Sequence, residues 1–438
     1  MQPPRTTVEQ VQRNHLIILS PDHQDLLVQL PGGLGYLLPS VRSDVGRKVL
    51  GVVKAYVEQL GISMSSVVSL CTRESVAGGF EALHVLQASN TNASGKDFHW
   101  RPLGKIVNAP GLWDVQATFV REFAKEAPRL CTSSPPARAS SWVDQILFEA
   151  GLGVVTGFEP FRISTAESVV AFRTSRGETA YLKCSNRAPF TEALVTQVLA
   201  NKWPTAVAET IGFCATNGWW LTKEVKGATL EQALTLEQCV AAIDRFARMQ
   251  KDLRNERASF ANCGMSSTRL IDLDVGATLR ALAEAGQITS QELSKMQSSL
   301  KRVFARLVEL DFPESIIHRD LTPWNIKLAH EGPCFFDWED ATWGPAIVSL
   351  EIFLAALRTG RRNLRSSGWL EQLREGYFQV WGLGEERWTD ASLARASRTL
   401  ALFCQLRDFS RTCEAELYHA HLKDQAVLTA RKLYRLLQ

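Results

Sequence analysis

The stretch Cys131 to Ser140, CTSSPPARAS, interrupts the hydrophobic periodicity on either side of it and constrains the fold more than any other segment. Serine, proline and small residues supply neither a repeating apolar face nor strand-forming side chains, so the segment reads as an interdomain linker. Length points the same way: 438 residues exceed what one hydrophobic core ordinarily serves, and roughly two to three domains are expected. With 45% hydrophobic and 22% charged residues, the chain has enough apolar side chains to fill such cores, which excludes a largely disordered protein. Its 49 Lys and Arg against 46 Asp and Glu leave +3. So small an excess gives no reason to expect nucleic acid or an anionic membrane as partner.

Nine cysteines are scattered without a CxxC pair, several inside apolar runs such as PCFF and ALFC. The pattern suits reduced core thiols better than disulfides or a zinc site. The first twenty residues offer only a four-residue apolar stretch, too short for a signal-peptide core, and no later run reaches the roughly 18 apolar residues of a spanning helix. A cytoplasmic protein is expected.

Upstream of the linker, LIILS, DLLVQL, SVVSL and EALHVLQ read as short strands. VGRKVLGVVKAYVEQLG reads as an amphipathic helix ended by Gly61. Downstream, serines cap the helix SSWVDQILFEAG, and GFEPFRIS, SVVAFRTS and TAYLKCS predict a small antiparallel sheet. From Thr229 the pattern is mostly helical, as in TLEQCVAAIDRFARMQKDLRN and QELSKMQSSLKRVFARLVEL. One segment breaks it. In Ser315 to Glu339 two apolar, strand-like runs flank a polar loop carrying His318, Asp320 and Asn325, and Asp337 closes the second run. That spacing predicts a hairpin returning Asp337 beside Asn325. Oxygen-bearing side chains around a free carboxylate are what phosphoryl transfer requires, because Mg²⁺ takes hard oxygen ligands and shares them with phosphate. Asp320 would be the base and Asp337 the main metal ligand.

HRDLTPWNI followed by FFDWE resembles the catalytic and metal-binding loops of the aminoglycoside phosphotransferase and choline kinase-like small-molecule kinases. The resemblance implies an α+β, two-lobed protein-kinase-like fold, with a small antiparallel β lobe and a larger helical lobe. It also implies ATP and Mg²⁺ as cofactors, Asp320 assisting a small-molecule hydroxyl acceptor, and Asn325 and Asp337 holding metal. His318, in the same catalytic loop, serves either the chemistry or a backbone carbonyl. The family's phosphate-binding lysine and its helix glutamate match Lys183 and Glu192. Ser164 and Thr165, with Ser168, stand where a loop covers the phosphates, although no glycine-rich fingerprint is present. The main chain from Lys223 to Val225 stands where adenine pairs. Trp324, Trp338 and Trp343, and the acidic Glu339, Asp340 and Glu351, are read either as acceptor-facing or as packing and solvated residues.

LLVQLPGGLGYLLPS, GRKVLGVVKAYVEQLGI and FHWRPLGKIV, within Leu16 to Val107, resemble the layout of a Nudix hydrolase. Of that family's helix glutamates only Glu58 survives, with Ala55, Gln59 and Gly46 at the other positions, so the resemblance implies a catalytically inactive domain used for binding or packing. The expected layout is therefore a separate α/β Nudix-like domain over 1–130, a linker over 131–141, a kinase β lobe over 142–228 and a helical lobe over 229–438. The reaction expected is γ-phosphoryl transfer from ATP to a hydroxyl of an aminoglycoside, choline-like alcohol, sugar or related metabolite. The alternative is a non-catalytic nucleotide-binding pseudokinase or sensor module.

Overall fold

The computed structural model describes residues 11–22, 24–29, 37–44, 49–74, 80–88, 90–93, 97–107, 135–163, 167–185, 191–267, 275–276, 279–280, 289–309, 311–360, 368–384, 391–412 and 429–437. It divides into two compact units: residues 1–188 with 211–222 and 416–421, and residues 189–210 with 223–415 and 422–438. The class is α+β, a sheet-rich first unit and a helix-rich second.

In the first unit, Leu16, Ile17, Ile18 and Leu19 are all fully buried. An uninterrupted apolar run is tolerated by a strand only where both sheet faces are covered, and β1 (Val11–Leu19) is indeed central. It pairs in parallel with β5 (Phe80–Ala88) and antiparallel with β2 (Asp25–Gln29) and β3 (Ser40–Asp44). Outside these lie β4 (Met64–Glu74) and β6 (Phe98–Pro102), giving the order β4-β5-β1-β2-β6. Helix α1 (Val49–Gln59) buries Val53 and Val57, one turn apart, and the chain leaves it through Gly61 at φ 74°, the left-handed conformation that helix ends favour. Helix α2 (Leu103–Val107) follows β6.

Helix α3 (Pro135–Glu149) starts inside the segment read as a linker. Prolines are acceptable in the first turn, where the amide has no intrahelical partner. Ala139, Val143 and Leu147, spaced by four, are fully buried. The polar composition of 135–140 thus belongs to a helix start, not to a flexible spacer. Strands β7 (Val155–Ile163), β8 (Glu167–Thr174) and β9 (Thr179–Ser185) form the expected antiparallel ladder. β10 (Thr210–Cys214) and β11 (Trp219–Lys223) extend it to five strands in the order β10-β11-β9-β8-β7. Described residues of the N-terminal sheet share one hydrophobic cluster with α3 and this sheet: Val53, Val85 and Ile106 belong to it with Val143, Phe172, Leu182 and Leu221.

The second unit opens with α4 (Thr191–Lys202) and a 3-10 turn, Pro204–Ala206. Helix α5 (Leu236–Leu253) is capped by Thr235, whose side chain accepts the Gln238 amide at 3.2 Å. It turns Cys239, Ala242, Ile243, Phe246, Met249 and Leu253 into the core at helical spacing. Helix α6 (Arg257–Asn262) and the short β12 (Ser266–Ser267) follow, then α7 (Ser290–Glu309). β13 (Glu314–Ile317), β14 (Ile326–Ala329), β15 (Gly332–Phe335) and β16 (Thr342–Pro345) carry the polar loop between them, and α8 (Ile347–Gly360), α9 (Trp369–Trp381), α10 (Ala391–Thr412) and a helical segment over 429–437 follow. Among the described residues no helix is long and apolar enough to cross a membrane.

Candidate active site

Two strand pairings in the second unit build the site. β13 pairs antiparallel with β16, matching Ile317 to Thr342, while β14 and β15 close a hairpin that matches Ile326 to Phe335. The Phe336 amide continues the hairpin by donating to the Asn325 carbonyl at 3.2 Å. The register thus returns Asp337 toward the Asp320–Asn325 loop, as the spacing predicts. A second close approach braces the hairpin. Gly227 sits at φ 133°, and a Cβ there would lie 2.2 Å from the Leu328 carbonyl oxygen. Only glycine permits the residues after β11 to run against β14, where Leu328 N–H donates to Ala228 O at 2.9 Å and Leu230 N–H to Ile326 O at 2.8 Å.

His318 is hydrogen-bonded to backbone groups through both ring nitrogens. Its Nε2 lies 3.0 Å from the Phe336 carbonyl oxygen, and its Nδ1 accepts the Asp320 amide at 3.3 Å. A ring that donates from one nitrogen and accepts on the other is neutral. Burial, opposed by the Phe336 bond and the charges of Asp337 and Asp340, holds its pKa below the usual histidine value. The ring also packs on Trp338, with centroids 4.5 Å apart.

Asp320 keeps solvent access as a residue, while its carboxylate sits in a partly buried hydrogen bond. The Asn325 amide nitrogen donates to its Oδ2 at 2.7 Å and to its backbone carbonyl at 2.9 Å. Burial by the surrounding protein and the negative charge of Asp337 push the Asp320 carboxyl up to about 6, against the downward pull of Asn325. The two aspartates therefore sense each other.

Asp337 is one of two non-glycine residues with positive φ among the described residues, at 68°. Aspartate tolerates this left-handed region better than most side chains, and such conformations gather at functional sites. Its carboxylate clusters with those of Glu192 and Glu339, ligand oxygens lying within 4.8 Å of one another. Glu192, buried in the first turn of α4, also accepts the Trp338 amide at 3.1 Å. Three hard oxygen donors fit Mg²⁺ better than a soft metal. The cluster shares Asp337 with the Asn325–Asp337 pair of the sequence reading and adds Glu192; Asn325 donates its amide nitrogen to Asp320. Glu339, read as acceptor-facing or solvated, joins the cluster.

Lys183 occupies β9, opposite Val169, and is buried to 9% exposure. Ser164 and Thr165 lie outside the described residues; Ser168 is fully buried on β8. The Lys223 amide donates to Glu209 O at 2.9 Å, and Val225 O accepts Lys327 Nζ at 2.7 Å. These two backbone groups have intramolecular partners, and Lys327 was not singled out from sequence. Trp338 and Trp343 are core residues, whereas Trp324 is 55% exposed between Asp320 and Asn325. Glu351 faces no acceptor. It is buried and bound by Arg374 at 2.6 Å, Arg398 at 3.3 Å and Arg358 at 3.9 Å.

The family described as the phosphotransferase enzyme family matches residues 160–391. No curated protein matches the sequence. Among solved structures, the choline kinase LicA from Streptococcus pneumoniae aligns at 12% identity and a TM-score of 0.46, covering 67% of this chain and 99% of that one. The macrolide 2'-phosphotransferase MphH from Brachybacterium faecium aligns at 16% identity and a TM-score of 0.46, covering 66% of this chain and 98% of that one.

Proposed function

From the premise that this chain belongs to the phosphotransferase enzyme family, whose match spans residues 160–391, we propose that it transfers the γ-phosphoryl group of ATP to a hydroxyl of a small molecule. The observation that carries the reading is the joined Asp320–Asn325 pair and Asp337 cluster: a positioned base beside a nest of hard oxygen ligands.

Asp320 accepts the proton of the acceptor hydroxyl as that oxygen bonds to the γ-phosphorus and the bond to the β–γ bridging oxygen breaks, releasing ADP. Asn325 fixes one carboxylate oxygen of Asp320, so the base enters the reaction already oriented. His318 holds the Asp320 amide on one side and the Phe336 carbonyl on the other, tying base and hairpin together. Asp337, Glu192 and Glu339 would hold Mg²⁺, which when bound neutralises charge on the transferring phosphates. Lys183 is assigned to the α- and β-phosphates. The N-terminal strands are assigned a packing role, supported by the core they share with the five-stranded sheet.

The test is an acceptor screen at saturating Mg-ATP with ADP release as readout, run beside Asp320→Asn. Acceptor-dependent ADP release reduced at least about 100-fold by Asp320→Asn is expected, the range a general base supplies. ATP binding without turnover across a broad panel would favour the pseudokinase reading.

A further inference from the structure

Gln250 on α5 is fully buried and contributes no group to phosphoryl transfer. Its Nε2 donates to Ile316 O at 2.6 Å and to Ala346 O at 3.1 Å, with Ser349 Oγ at 3.5 Å. Its Oε1 accepts the Tyr377 hydroxyl at 2.7 Å, and its backbone carbonyl accepts Ser315 Oγ at 2.6 Å. One amide thus ties together β13, the junction of β16 with α8, and α9.

Three of those partners lead directly to the catalytic loop. Ser315 and Ile316 are the strand residues from which the chain enters His318. Ser349 Oγ accepts the His318 backbone amide at 3.0 Å. His318 Nδ1 in turn accepts the amide of Asp320. A primary amide offers two donors and two acceptor sites in one plane, so Gln250 can set the spacing of the elements it joins. Its neighbours give little freedom: Ser315, Ile316, Ala346, Ser349 and Tyr377 are all fully buried.

We infer that Gln250 is a positioning residue, acting through β13 and Ser349 to hold the His318–Asp320 segment where the Asp320 carboxylate meets the acceptor hydroxyl. The inference rests on the phosphotransferase reading of Asp320. Gln250→Met keeps the volume and removes every side-chain hydrogen bond. With the variant shown folded by circular dichroism, kcat falls about 100-fold, the scale of a misplaced reacting group, while KM for Mg-ATP changes less than about twofold. Tyr377→Phe removes only the bond to Oε1 and costs about fivefold in kcat. Ser349→Ala lowers kcat in the same sense. Because Gln250 acts partly through Ser349, the double variant loses less than the product of the two single losses.

Wild-type kcat in Gln250→Met, a loss shared equally by kcat and KM, or single losses that multiply in the double variant would each overturn the assignment. Should Gln250→Met not fold, Ser349→Ala and Tyr377→Phe decide by the same split between kcat and KM. Absence of any acceptor-dependent ADP release that Asp320→Asn removes refutes the phosphotransferase reading instead. Hydrogen exchange at the His318 amide then judges the clasp separately: faster exchange in Gln250→Met retains it, and unchanged exchange removes it.

Discussion

Asp320 has neighbours that pull its acidity in opposite directions. Asn325 donates to the carboxylate and favours its ionised form, whereas burial and Asp337 disfavour it. A base is most useful when its pKa lies near the working pH, and the balance here leaves Asp320 ionised at neutrality but not indifferent to protons. The cluster around Asp337 gives a prediction for this scale. Asp337→Ala abolishes phosphotransfer, while Glu339→Gln keeps turnover and raises the Mg²⁺ concentration for half-maximal rate roughly tenfold, since one of three oxygen ligands loses its charge. Magnesium titrations of initial rate check it. His318, Asp320, Asn325 and Asp337 were legible in the sequence because their contacts are local, set by a turn and a hairpin. Glu192 beside Asp337 was not. Its bond to the Trp338 amide spans 146 residues, and no local pattern records which helix a hairpin will meet.

Strands and helices with strong periodicity are legible in the sequence. The runs that became β7, β8 and β9, and the helices α5 and α7, follow the alternation and helical spacing of their apolar residues. β10, TIGFC, is short and carries Gly212, so its signal is weak; only the sheet's hydrogen bonds make it a strand. The start of α3 was hidden by two prolines that usually announce a break but are equally at home in a first helical turn. At this scale the contact of Gly227 with β14 makes a sharp prediction. Gly227→Ala forces a methyl group against the Leu328 carbonyl oxygen and holds alanine at φ 133°. It destabilises the fold by more than about 2 kcal/mol, read as a lower urea midpoint with an unchanged m-value.

For the molecule as a whole, the N-terminal sheet carries a pH-sensitive element. His84, buried on β5, lies with Nε2 at 3.1 Å from Asn14 Oδ1. Burial, reinforced by His15, lowers its pKa from 6.5 to about 4. The folded state therefore keeps it neutral where the unfolded chain would protonate it. Since the unfolded state binds more protons, stability falls as pH drops from about 6.5 to about 4, by up to roughly 3 kcal/mol from this group. Urea unfolding across that window checks the slope, and His84→Gln flattens it. The shared core has a second outcome: deleting residues 1–130 removes Leu16, Val53 and Ile106 from the cluster that also holds Phe172 and Leu182, and the shortened chain unfolds at a lower temperature by calorimetry. Division into domains was the least legible property of the sequence, because composition marks where apolar patterning pauses and says nothing of which faces later meet.

That common interior also sets a timetable for biosynthesis. The cluster begun by Leu16 is finished by Trp219 and Leu221, so the opening strands leave the ribosome long before the side chains that complete their enclosure. At about 5–20 residues per second the nascent protein waits roughly 10–40 seconds with an apolar face still bare, an interval in which chaperones have something to hold.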